Sequence, residues 1–398
     1  MSIRKRTWTT SKGEQRTAWN VDYVDATGKR RLKTFEKKKD ADAFQATAKV
    51  EVRAGVHVAD SASVTVEKAA KFWIKSAEAA GLERTTVANY QTHVDLHIVP
   101  FLGPMKLSAL NVPTIRNFED QLREGGRTAS TIKKVLVSLG SLLADAQERG
   151  LVGRNVVREL KGRRKGTEKR LQERHKGKLK VGEDIPTREE IKVFVGALGG
   201  RWRPIFLTAI FTGLRASELR GLTWPNVDFE KRQITVRQRA DRFNEIGKPK
   251  SGSSERHVPM PPIVVNALKE WKLACPKGEL GLVFPNGVGN VETIGNIVKR
   301  GLQPIQVSAG ITRDTGKKDE NGNPIHVAKY PGMHALRHFY ASWLINRKED
   351  GGLGLPPKVV QERLGHSSIT MTMDTYGHLF PRGDDADELA AAELALLS

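Results

Sequence analysis

The chain has 398 residues, with 66 lysines and arginines against 45 aspartates and glutamates. The formal charge of +21 and a pI near 10.0 make a polyanion, and above all nucleic acid, the natural partner. No apolar stretch is long enough to cross a bilayer and the opening MSIRKRTWTT lacks the apolar core of a signal peptide, so no membrane partner and a cytoplasmic location are expected. The one cysteine, Cys275, excludes an internal disulfide and a cysteine-built metal cluster.

The pattern along the chain predicts a multidomain α+β protein. Residues 1–58 read as a small domain of three strands and a helix: strands near Lys5–Thr9, Arg16–Val24 and Arg30–Phe35 are separated by turn signals at Gly13 and Asp25–Gly28. A helix over Lys38–Arg53 follows, with Gly55 as its stop signal, covering one face of the sheet. Residues 1–55 hold 14 basic and 7 acidic side chains, concentrated in Lys29, Arg30, Arg31 and Lys33, so the uncovered face is expected to be basic. Arg30, Arg31 and Lys33 are the candidate DNA contacts of a small accessory DNA-binding domain, since a small ribbon of strands can enter a major groove. The bland alternative is a charged structural cap.

Residues 63–160 turn helical. VEKAAKFWIKSAEAAG, TTVANYQTHVDLHIV, VPTIRNFEDQLREGG and ASTIKKVLVSLGSLLADAQERG each space apolar residues three and four apart, predicting an all-α four-helix bundle. Phe72, Trp73, Leu136, Leu139 and Leu143 are expected in its core. His93 and His97 have ligand-like spacing, but with no third ligand nearby they read as helix-face residues. Residues 161–185 form a basic linker; KGRRKGTEKRLQERHKGKLK (161–180) holds ten basic and two acidic side chains and either is solvated or follows a phosphate backbone. The last domain, residues 186–398, is expected to be mainly α with a small sheet, and TREE at Thr187 announces its first helix as a capping box.

Cleaving a phosphodiester without metal requires a nucleophile, cations on the nonbridging oxygens and a proton donor for the leaving oxygen. Arg215 and Arg337 suit the oxygens, because a guanidinium binds phosphate bidentately and stays charged. His334, His366 and Lys250 can move protons, and Tyr376 offers a nucleophile. In order and context these residues resemble the tyrosine recombinase family, and within it the phage and mobile-element integrases, over nearly the whole chain. TGLRASELRGLTW matches the first box, with Arg215 as the first active-site arginine and Glu218 as its supporting acid. HALRHFYAS matches the His-x-x-Arg pair with His334 and Arg337. LGHSSITMTMDTYGH supplies His366 and, ten residues on, Tyr376. ITVRQRADRFNEIGKPKSGSSERHVPM resembles the strand pair with its turn lysine, best matched by Lys250, with Lys248 as a near rival.

The resemblance implies that Tyr376 attacks a DNA phosphate, leaving a 3′-phosphotyrosyl enzyme and a 5′ hydroxyl. Arg215, Arg337, His334 and His366 would hold the phosphate and Lys250 would protonate the leaving oxygen. It implies no cofactor and no metal, double-stranded DNA with core and arm attachment sites as partner, a homotetramer on DNA, accessory bending and directionality factors, and a bacterial host. The Ala- and Leu-rich tail after Tyr376 would dock on a neighbouring protomer or on its own domain. ITRDTGKKDENGNPIHVAKY reads as a loop or hairpin insertion without an assigned role. HALRH also has the spacing of a helical zinc protease, but Ala335 stands where a general-base glutamate is needed. GITRDTGKK echoes a phosphate loop with one residue too many and no Ser or Thr after the lysine. A type IB topoisomerase and a non-catalytic DNA-binding protein are the rival readings.

Overall fold

A computed structural model describes residues 1–11, 13–25, 28–55, 57–60, 62–160, 178–249, 255–381 and 385–398. The chain divides into two compact units, Met1–Arg164 and Lys165–Ser398.

The first unit opens with β1 (Ser2–Thr9), β2 (Gln15–Val24) and β3 (Arg30–Phe35), an antiparallel sheet in that order. Helix α1 (Lys38–Arg53) packs Ala41 on Val21 and Tyr23, with Trp19, Phe35 and Phe44 around them. Strand alternation divides the basic residues of β3, and this corrects the expected face. Arg30 lies on the open side and pairs with Asp22. Arg31 and Lys33 lie on the helix side, where Arg31 Nε donates to Asp25 at 2.8 Å and Lys33 Nζ meets Asp60 at 2.5 Å over the Phe44 ring. The open face instead carries Arg4, Arg6, Trp8, Arg16 and Arg30, all exposed.

The helical part of this unit comprises α2 (Val66–Ala79), α3 (Arg84–His93), α4 (Val99–Leu102), α5 (Val112–Glu124) and α6 (Ala129–Glu148), with a π turn Val94–Ile98 joining α3 to α4. Thr65, Asn111 and Thr128 cap α2, α5 and α6 by accepting first-turn amides. Trp73, Ile98, Phe118, Leu139 and Leu143 form the core, with Leu136 against it. Phe72 departs from the expectation: it is half-buried beneath the Arg149 guanidinium, on the flank of α2 turned from that core. His97 is buried rather than facing outward, and His93 Nδ1 bonds Ser138 Oγ at 2.8 Å.

In the second unit, Thr187 caps α7 (Arg188–Gly196) with the reciprocal Glu190 bond that TREE predicts. Helix α8 (Trp202–Thr212) is central and almost wholly buried, its Thr208 and Thr212 hydroxyls bonding carbonyls four residues back. Short α9 (Ala216–Arg220) precedes β4 (Val227–Asp228), β5 (Gln233–Val236), β6 (Arg239–Ala240), β7 (Ile246–Gly247) and β8 (Arg256–Pro259). These strands form a sheet β4-β5-β8 and a pair β6-β7. Then come α10 (Pro262–Ala274), α11 (Ile294–Asn296), a π turn Ile297–Leu302 and α12 (Gln303–Ser308). The polar insertion is a hairpin of β9 (Thr312–Lys318) and β10 (Pro324–Ala328). Helices α13 (His334–Ile345), α14 (Pro357–Leu364), α15 (Ile369–Tyr376) and α16 (Asp385–Leu397) finish the chain. Both α10 and α13 pack on α8 around Phe206, Leu219, Ile234, Val264 and Leu336.

Candidate active site

The site is assembled around two glycines at helix ends. Helix α8 stops at Gly213, whose φ of +60° suits glycine, and a Cβ there would lie 2.2 Å from Cδ1 of Tyr340 on α13. The chain therefore passes close to α13 before Arg215 opens α9. The Arg215 backbone amide donates to Glu218 Oε2 at 2.8 Å, and its Nη1 donates to Oε1 at 2.8 Å. Arg256 on β8 completes the arrangement, donating from Nη1 to Oε1 at 3.1 Å and from Nη2 to Oε2 at 2.9 Å. Glu218, 4 % exposed, thus lies between two guanidiniums with two donors on each oxygen.

Helix α14 ends at Gly365, with φ +63° and a would-be Cβ 2.7 Å from Arg256 Nη1. The last carbonyls of a helix lack intrahelical partners and form the negative end of its dipole. Here three arginines take them in succession: Arg256 Nε donates to Arg363 O at 2.9 Å, Arg337 Nη2 to Leu364 O at 2.5 Å and Arg215 Nη2 to Gly365 O at 2.9 Å. Arg337, buried on α13, also donates from Nη1 to Gly213 O at 2.6 Å. The turn at the end of α14 is thus the common anchor of side chains from three distant segments.

His366 follows in that turn, buried, with Nδ1 on Thr372 Oγ1 at 2.9 Å. Ser368 Oγ caps α15, which ends at Tyr376. The Tyr376 ring lies parallel to His366, centroids 6.1 Å apart, and its hydroxyl meets His338 Nδ1 at 2.8 Å. His338 in turn stands edge-on to His334 at 4.7 Å, and His334 is exposed on the first turn of α13. Tyr376 itself is 1 % exposed. Arg215, His334, Arg337, His366 and Tyr376 are thereby brought together. Lys250 lies outside the described residues, between β7 and β8 in the chain; β8 pairs with β5 from Pro259 with Gln233 to Arg256 with Val236.

Burial pulls the Glu218 carboxyl upward, but the hydrogen bonds and charge of Arg256, with the charge of Arg215, outweigh it and hold the group below the ordinary carboxylate range. Burial, then the charge of Arg215, lowers Arg337 to about 9, which leaves it protonated at neutral pH. Burial also lowers the histidines: His366 to about 4, helped by Arg337 and Arg215, and His338 to about 4, helped by His334 and Arg337. His334, whose ring is partly desolvated although the residue is exposed, moves the same way, with the charge of Arg337 adding to it. Tyr376 is pushed up to about 12 by burial, against the downward pull of Arg337 and Arg215. The site is a cationic cradle lined by neutral imidazoles with a protonated phenol, ready for an anion.

Two members of the cluster escape a reading by motif. Arg256 sits in SERHVP with no signal of its own. His338 had one, since it follows His334 by four residues and so shares its helix face. Among the described residues no cluster of three or more metal-ligating side chains occurs.

Residues 188–382 match the Phage integrase family, and residues 65–123 match the Phage integrase N-terminal SAM-like domain. The chain belongs to the phage integrase family. It is a tyrosine recombinase of the mobile-element branch, and relatives along its length agree. It is 28 % identical over 386 residues to a tyrosine recombinase XerC-like protein of Caldanaerobacter subterraneus subsp. tengcongensis, covering 90 % of each chain. It is 24 % identical over 301 residues to the ICEBs1 integrase of Bacillus subtilis strain 168, covering 74 % of this chain and 73 % of the relative. The fold is shared with the Tn1549 transposon integrase in complex with a circular intermediate DNA, at TM-score 0.60 and 21 % identity over 84 % of this chain and 100 % of that one. It is shared also with a lambda integrase tetramer bound to a Holliday junction, at TM-score 0.55 and 16 % identity over 92 % and 96 %.

Proposed function

We propose that this recombinase integrates or excises a mobile element by attacking a DNA phosphate with Tyr376, with Arg215, Arg337, His334 and His366 gripping that phosphate. The observation that carries the reading is the convergence on one turn: Arg215 and Arg337 donate to Gly365 and Leu364, His366 follows, and the Tyr376 ring lies parallel to that imidazole. Each guanidinium has five N–H donors and spends part of them on protein carbonyls, which fixes its direction while leaving capacity for phosphate oxygens. Such preorganised donors stabilise the charge that grows on a pentacoordinate phosphorus. His366 Nδ1 is held by Thr372, so Nε2 is the nitrogen that can face the phosphate.

The Tyr376 oxygen bonds to phosphorus as the bond to the 5′ oxygen breaks, and Lys250 gives that oxygen a proton. The 3′-phosphotyrosine keeps the energy of the broken linkage, so attack by another 5′ hydroxyl reseals a recombined strand without ATP.

The partner is double-stranded DNA at core and arm attachment sites, bound by a homotetramer together with bending and directionality factors. Arg4, Arg6, Arg16 and Arg30 on the open face of the N-terminal sheet supply arm contacts, with Trp8 among them. Leu389, Leu394, Leu396 and Leu397 of α16 are exposed on the single chain, which suits a tail that docks on a neighbouring protomer. Incubating a nicked duplex carrying the element's own junction with the chain and with Tyr376→Phe tests the chemistry on a denaturing gel. A covalent adduct with the unaltered chain alone is expected; an adduct that survives Tyr376→Phe overturns the assignment.

A further inference from the structure

We propose that His338 is the proton acceptor for Tyr376: its Nδ1 takes the phenol proton as the tyrosyl oxygen bonds to phosphorus. This rests on the reading of Tyr376 as nucleophile and adds a catalytic residue to it. Its geometry carries it, with the tautomer and the nearby charges in support. His338 Nδ1 stands 2.8 Å from the Tyr376 hydroxyl, a hydrogen-bond distance to the reacting atom itself. With the proton on the phenol, Nδ1 accepts, and the tautomer assigned by this bond carries its own proton on Nε2. The two other histidines are placed differently: His366 commits Nδ1 to Thr372 and lies parallel beside the phenol ring, and His334 packs against the His338 ring. Finally, Arg337 and Arg215 act electrostatically on the Tyr376 phenol, so the hydroxyl lies within the field of the cations that would hold the phosphate.

The step balances without a further reactant. The tyrosyl O–P bond forms, the P–O5′ bond breaks, the phenol proton goes to His338 Nδ1, and the leaving oxygen takes its proton from the separate acid. With Tyr376 near 12 and His338 near 4 the proton rests on the phenol in the free chain. Transfer therefore accompanies attack, when the phenolic oxygen loses its hold on the proton and the incoming phosphate favours an imidazolium.

The test measures single-turnover adduct formation on the nicked junction duplex for the unaltered chain, His338→Ala and His338→Asn. Each is made with tyrosine and with a fluorinated, more acidic tyrosine at position 376, and melting and duplex binding are followed alongside. Both substitutions are expected to slow cleavage by about 10²-fold or more, the usual size of a general-base contribution. Asn places an oxygen near the Nδ1 position, keeping the hydrogen bond but unable to take the proton, so its defect separates proton transfer from orientation. The fluorinated phenol should recover at least about tenfold in His338→Ala, since a more acidic nucleophile needs the base less. A His338→Ala rate equal to or above that of the unaltered chain, a fully active His338→Asn, or no recovery with the fluorinated phenol in a normally melting protein overturns the proposal. If the unaltered chain itself forms no adduct, or Tyr376→Phe forms one, the nucleophile assignment fails instead.

Discussion

Replacing Glu218 with Gln removes one charge from the centre of the arginine cluster and keeps the shape of the side chain. Each carboxylate oxygen accepts two donors, Oε2 from the Arg215 amide and Arg256 Nη2, and Oε1 from the two Nη1 groups. A Gln amide has a single oxygen, so two of the four donors would face its NH2. Arg215 and Arg256, the latter 6 % exposed in its side chain, would then repel each other without the intervening charge. Breaking a buried ion pair from one side costs about 3–5 kcal/mol. For a domain of this size that is a fall in melting temperature of roughly 6–20 °C. Scanning calorimetry of the full chain should find the loss in the transition of the second unit. Duplex binding should shrink it, because a phosphate restores negative charge to the same guanidiniums. Glu362→Gln serves as control: its pair with Lys358 at 3.4 Å is exposed on both sides, and no measurable shift is expected. A fall of less than about 2 °C for Glu218→Gln, within about 1 kcal/mol, would refute the view that this carboxylate holds the cluster together.

Gly213→Ala should cost about 1–3 kcal/mol for overpacking against Tyr340, with a further 1–2 kcal/mol or so for the left-handed backbone. It should also slow adduct formation, because the Gly213 carbonyl anchors Arg337; urea unfolding and the gel assay check the two effects, and Gly310→Ala, whose Cβ meets nothing within 4 Å, should show the backbone cost alone. On the open face of the N-terminal sheet, Arg6→Ala and Arg16→Ala should each flatten the dependence of log affinity on log salt by about 0.9 in titrations of arm-site DNA. Arg31→Ala should leave that slope unchanged and lower the stability of the first unit, since its guanidinium is bound to Asp25 on the helix side.

Local signals carried much of this protein's design. The third strand, Arg30–Phe35, and the first helix, Lys38–Arg53, occupy the residues that turn signals and periodicity predict, and Thr187 and Glu190 form the capping box written as TREE. Those features act within a few residues, so a linear reading reaches them. The recombinase motifs were legible for another reason, because order and spacing restrict five residues jointly even though each is ordinary alone. Tertiary structure decided what needs a partner from elsewhere. Alternation put Arg31 and Lys33 on the opposite side of β3 from Arg30, but which side stays open depends on where α1 packs. Arg256 has meaning only once β8 brings it to Glu218, 38 positions away, and His338 only once α15 delivers Tyr376, also 38 positions away. Arg215 reaches Gly365 across 150 positions and Arg337 reaches Gly213 across 124. The sequence by itself marked the candidate site residues and the helix ends that stop beside them. Only the folded chain could turn the open carbonyls of one helix end into the shared anchor of Arg215, Arg256 and Arg337, because that end is satisfied by donors no local pattern brings near.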